Sequence, residues 1–270
     1  MPIPIAHPMA VLPIFRYSHI LSVSALIIGS MVPDFEHFLE LRVSDKTGHT
    51  ILGVFIYDLP VGIIIYYINK WYLKPILKIV SPIRFRQFYH PVKRYTFLQI
   101  VLSLLIGIAT HFLLDAVTGE EGYFVKDLPY LFTEVQVTSS VRMNIHLIIW
   151  IFVSIFGAMN CFWMMFIAFD YKKTVARFRL HYWSIQYFVE VFLLTVVICI
   201  LRYFLMGNPY ILWNWGIVIG GATFFSFTLI SMRWKFAQKG YFGLPKFLSN
   251  YKGVALYTQE NKKGSSPELP

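Results

Sequence analysis

Five residues of this chain have the chemistry of metal ligands: His7, Asp34, His49, His111 and Asp115. His111 and Asp115 are four residues apart, so on a helix they project from one face about one turn from each other. All five stand at the ends of apolar segments rather than in their middles, which lets distant parts of the chain converge on one point. Two imidazoles and two carboxylates suit zinc, whose sites take His nitrogen and carboxylate oxygen in tetrahedral or five-coordinate arrangements. With water as a further ligand such a site generates hydroxide near neutral pH and polarises a phosphoryl or carbonyl oxygen. His7 would join that site or ligate a second ion bridged by Asp115, giving one or two zinc ions. Glu36 and His37 follow Asp34 on a turn expected to be solvated, where a general base would stand. The plainer reading of the His-x-x-x-Asp pair is a hydrogen bond that keeps two polar groups satisfied.

The elements that must carry these residues are membrane helices. Apolar residues make up 57% of the sequence and charged residues only 14%, a balance that excludes an ordinary soluble domain. The net charge of +10 is confined to particular loops, which argues for membrane orientation and against nucleic acid as a partner. Cys161 and Cys199 fall inside apolar runs and offer no disulfide framework. The start lacks a basic region followed by an uninterrupted apolar core, so insertion is expected to rely on the internal helices.

In chain order, Pro2, Pro4, Pro8 and Pro13 leave room for only a short helix between Pro8 and Arg16. Ile20 to Val32 is too short to cross a bilayer and reads as a re-entrant or interfacial helix ending at Pro33-Asp34. Five apolar segments follow, Ile51 to Ile68, Phe97 to Val117, Ile145 to Phe169, Ile185 to Met206 and Ile211 to Met232. The expected fold is therefore all-α, a polytopic helical bundle with about five transmembrane helices. Its parts are an N-terminal ligand-bearing segment over 1–50, the helical domain over 51–243 and a cytoplasmic tail over 244–270.

Loop charge sets the orientation. Lys70, Lys74, Lys78, Arg84, Arg86, Lys93 and Arg94 lie between the first two spans with no acid among them, and Lys172, Lys173, Arg177 and Arg179 follow the third. Both loops are expected in the cytoplasm, with anionic lipid against the first. Glu120, Glu121, Asp127 and Glu134 put the opposite ends outside. The ligand set then faces the extracytoplasmic side. Trp71, Trp183 and Trp234 are expected at the inner boundary, Trp213 and Trp215 at the outer one.

Other polar residues have narrower expectations. Asp58, nine residues past His49, would lie on the opposite side and roughly 13 Å deeper in one straight helix, as a structural partner near Pro60. Arg142 and His146 would share one helical side at the outer entrance to the third span, along with Thr138, Ser139 and Ser140, and hold an anionic head group. Arg202 is expected to snorkel, and Glu190 has no assigned role.

His7-Pro8 with Ala10-Val-Leu-Pro13, Gly29-Ser-Met-Val-Pro33-Asp34-Phe-Glu36, Gly48-His49-Thr50 with Asp58-Leu-Pro60, and His111-x-x-x-Asp115 together resemble a bacterial integral-membrane family, domain of unknown function 4184. They also look like motifs of inner-membrane proteins described as metal-dependent hydrolases. More distantly, their order is similar to that in zinc-dependent phospholipase C and its nuclease relatives. That resemblance implies one zinc on Asp34, His49, His111 and Asp115 and a contribution of His7 and Asp115 to another. The downstream His and His-x-x-x-Glu of that group have no counterpart, since His146 is followed by Trp150. Two functions follow: a zinc hydrolase acting on a phosphoester or acyl bond of a lipid or envelope substrate, or a noncatalytic transporter or assembly factor with a structural cluster.

Overall fold

A computed structural model describes residues 4–42, 47–81, 94–119, 123–138, 141–167, 182–207 and 212–238. The expected tail over 244–270, the basic segment over 172–179, and Arg84, Arg86, Lys93, Glu120, Glu121, Ser139 and Ser140 lie outside these residues. The fold is all-α apart from one small hairpin. Short helices α1 (Pro8–Val11), α2 (Val23–Gly29) and α3 (Phe35–Glu40) precede the long helix α4 (Ile51–Val80). After α5 (Phe97–Thr118) come α6 (Tyr123–Asp127), strands β1 (Glu134–Gln136) and β2 (Arg142–Asn144), then α7 (Ile145–Ile167), α8 (Tyr182–Met206) and α9 (Leu212–Gln238). Five of these, α4, α5, α7, α8 and α9, are long and apolar enough to cross a membrane. The expected all-α membrane architecture stands.

Two features of the first span depart from expectation. It runs to Val80 rather than Ile68, so Lys70, Lys74 and Lys78 ride on the helix instead of a loop. It is also not straight: π-helical stretches at Val54–Asp58 and Asn69–Leu73 interrupt it. A wider turn of this kind shifts the face on which the following residues project.

The chain divides into two compact units, one of residues 1–67, 92–171 and 208–221, the other of 68–91, 172–207 and 222–270. In the first, α2 packs on α5 backbone to backbone. A Cβ on Gly29 would lie 2.3 Å from the Leu104 carbonyl oxygen, and one on Gly107 2.4 Å from that of Leu26. Only glycine allows that approach. Ala25, Tyr66, Ile100 and Leu104 form the buried cluster alongside, and Ser103 Oγ accepts the N–H of Ser22 at 2.9 Å, fixing the start of α2. On α7, Gly157 meets Ala6 closely enough that a Cβ would sit 2.6 Å from the alanine's own. That contact seats the segment bearing His7.

In the second unit Tyr187, Val191, Ile230, Trp234, Ile76 and Val80 form the core. Trp234 is buried there, and its indole N–H donates to Glu190 Oε2 at 2.8 Å. Arg233 donates to the same oxygen, which gives Glu190 the role the sequence left blank. Arg202 does not snorkel. It is buried and donates to the Gly207 carbonyl at the end of its own helix.

Candidate metal centre

Four separate pieces of chain bring the predicted ligands together, all within the first unit. His7 immediately precedes α1. Asp34 closes the 3-10 turn Val32–Asp34, which admits Pro33 because proline's missing N–H costs nothing in a first turn. His49 stands in the turn before α4, whose cap is Thr50: its hydroxyl accepts the Gly53 N–H at 2.9 Å. His111 and Asp115 share one face of α5, as their spacing requires.

His111 is oriented by an atom no side-chain motif reveals. Its Nδ1 lies 2.9 Å from the Ser30 carbonyl oxygen. A carbonyl can only accept, so Nδ1 carries the proton and Nε2 is left to face the carboxylates. The close α2–α5 packing at Gly29 and Gly107 is what brings Ser30 within reach.

Around the point His111 Nε2 faces, atoms of His49, Asp34 and Asp115 draw together. His49 Nε2 is 3.3 Å and Asp115 Oδ2 3.2 Å from His111 Nε2, with Asp34 Oδ1 at 3.8 Å. His49 Nε2 is 3.7 Å from Asp34 Oδ1 and 3.7 Å from Asp115 Oδ2. A zinc ion with bonds of about 2.0 to 2.2 Å holds tetrahedral ligand atoms ~3.3 to 3.6 Å apart. Five measured edges fall at or near that span. Asp115 Oδ2, buried and without a hydrogen bond, faces the His111 nitrogen as one lone-pair donor faces another. Two such atoms repel unless a cation or a proton lies between them. The donor set, two imidazole nitrogens and two carboxylate oxygens, fits zinc.

His7 occupies the other side of both carboxylates. Its Nε2 is 3.4 Å from Asp115 Oδ1, its Nδ1 3.8 Å from Asp34 Oδ2, and its ring stacks on that of His111 at 4.1 Å. His7, Asp34 and His111 form a second group close enough to hold an ion. His7 and His111 are fully buried, whereas the side chains of His49 and Asp115 retain 16% and 13% of their exposure, so access is from their side.

Glu36 and His37 are near the centre but not on a solvated turn, since both are buried on α3. Glu36 Oε2 accepts the N–H groups of Thr47 and Gly48 at 3.1 and 3.2 Å and so pins the turn that presents His49. The His37 ring lies against that of His49, 6.4 Å between centroids. Asp58 corrects the straight-helix expectation. His49 is outside α4 and the π-helical stretch ends at Asp58, so the carboxylate returns to the turn: Oδ1 lies 3.2 Å from where a Gly48 Cβ would be. Arg142 and His146 do not share a helical face. Arg142 is exposed on β2, paired with Gln136, and His146 is buried on α7 with Nδ1 3.3 Å from the Leu131 carbonyl.

Fold and site together define a class: a multi-pass α-helical membrane protein with a buried cluster of histidine and aspartate able to hold a metal. Residues 1–232 match the family described as Domain of unknown function (DUF4184), and the chain belongs to it. No curated protein and no solved structure matches the chain.

Proposed function

We propose that this protein is a membrane-embedded zinc-dependent hydrolase acting at the extracytoplasmic face of a bacterial inner membrane on a phosphoester or acyl bond of a lipid or envelope substrate. The convergence of His49, His111, Asp34 and Asp115, with both imidazoles within 3.2 to 3.8 Å of the carboxylates, carries the reading. Zinc held there would supply a polarised substrate oxygen and a water acidified toward neutrality. The chain's own residues do the rest. Ser30 and Glu36 hold His111 and His49 in place. His37, beside His49, is the proton acceptor we favour, because Glu36 Oε2 already takes two backbone N–H groups. Arg142 offers a cation for an anionic head group, with His146 behind it on α7. The acid-free basic segment between the first two spans supports the outward orientation.

The test is elemental analysis of purified protein beside hydrolysis of phospholipid and envelope precursors. Bound zinc is expected in the wild type and lost in His111→Ala, with turnover abolished in Asp34→Ala. Zinc-loaded protein no faster than Asp34→Ala would overturn the hydrolase. A second reading has one observation in its favour: His7 ties the N-terminal segment to both carboxylates. A purely structural clip would lose thermal stability with the metal while every hydrolysis assay stayed flat.

A further inference from the structure

The first membrane helix carries a carboxylate that the histidine and aspartate centre does not use. Asp58 is fully buried, and neither oxygen has a hydrogen-bond partner among the described residues. It closes the π-helical stretch Val54–Asp58, a distortion that recurs at functional sites. The point where a Gly48 Cβ would begin lies 3.2 Å from Asp58 Oδ1 and 2.7 Å from the Pro33 carbonyl oxygen. The Gly48 N–H itself donates to Glu36 Oε2 at 3.2 Å. Two carboxylates and a peptide carbonyl thus surround one glycine.

A buried acid with two other carboxylates acting on it takes up either a proton or a cation. A carboxylate at membrane depth is expensive unless it is paired, and intramembrane acids mark ion or proton sites. No lysine, arginine or histidine pairs with Asp58 among the described residues. Zinc on His49, His111, Asp34 and Asp115 would coordinate those two aspartates without coordinating Asp58.

We propose that Asp58, Glu36 and the Pro33 carbonyl form a second, oxygen-only site for a hard divalent cation of the calcium and magnesium class, separate from the histidine and aspartate centre. Carboxylate and carbonyl oxygens without nitrogen or sulphur select hard ions, and calcium tolerates the irregular geometry of a turn meeting a distorted helix. An ion there ties α4 to the turn over 47–49. The site stands whether or not the neighbouring centre hydrolyses anything.

The experiment uses full-length, zinc-loaded protein in detergent, titrated calorimetrically with calcium chloride and with magnesium chloride, zinc content being measured on the same samples. One calcium or magnesium per chain is expected. Asp58→Asn should weaken it by about tenfold or more with zinc unchanged, and His111→Ala should lose zinc while keeping calcium. The two sites therefore fail separately. Absence of binding in the wild type, or equal affinity in Asp58→Asn, overturns the site. So does infrared absorption of a neutral carboxylic acid at pH 7 that disappears in Asp58→Asn, which assigns a proton in the cation's stead. Should Asp58→Asn not fold, Glu36→Gln replaces it: the amide still accepts from Thr47 and Gly48 but lacks the charge. About tenfold weaker calcium binding supports the site, and unchanged binding refutes it.

Discussion

His7 lies against the two carboxylates that also face His49 and His111, but through their other oxygens and through opposite ring nitrogens. A histidine so placed orients Asp34 and Asp115, and second-layer partners of this kind tune metal affinity by about 10- to 100-fold. His7→Ala is therefore expected to weaken zinc by ~10- to 100-fold with one ion per chain still bound at saturation. Equilibrium dialysis against a zinc buffer measures both quantities. Two ions in the wild type and one in the variant would instead assign His7 its own ion, with Asp115 as the bridge. His111 differs, because its Nε2 faces His49 and both carboxylates, so His111→Ala would remove a candidate ligand outright.

At the scale of elements, the centre depends on how closely α2 approaches α5. Ser30 follows α2 directly, and its carbonyl reaches His111 only because Gly29 and Gly107 let the two backbones meet. A methyl group at Gly107 would press on the Leu26 oxygen from 2.4 Å and must push the helices apart. Overpacking of this kind costs about 1 to 3 kcal/mol. Gly107→Ala is thus expected to lower the thermal midpoint in detergent and to weaken zinc binding together, although residue 107 touches no ligand. Loss of stability with zinc affinity intact would separate the helix packing from the site. Gly216, inside α9 where a Cβ would meet nothing within 4 Å, serves as the control: Gly216→Ala should leave zinc binding unchanged and the midpoint no lower.

Across the whole molecule, the sequence carried the centre further than the surroundings. Convergence was legible because each ligand stands where an apolar run ends, and ends of neighbouring spans share a depth. Ser30 was invisible, since its contribution is a main-chain carbonyl that any residue would supply. Asp58 was misread because periodicity assumes a regular helix from His49 onward, whereas α4 starts at Ile51 and carries a π-helical stretch. Orientation rests on loop charge alone, and can be tested alone. With Cys161 and Cys199 replaced by alanine, single cysteines at Thr138→Cys, on the hairpin side of α7, and Arg94→Cys, just before α5, report opposite faces. A membrane-impermeant maleimide should label Thr138→Cys in intact cells and Arg94→Cys only after permeabilisation. The reverse pattern would turn the access to His49 and Asp115 toward the cytosol. It would leave the cluster untouched, since its histidines and aspartates meet whichever way that side of the membrane points.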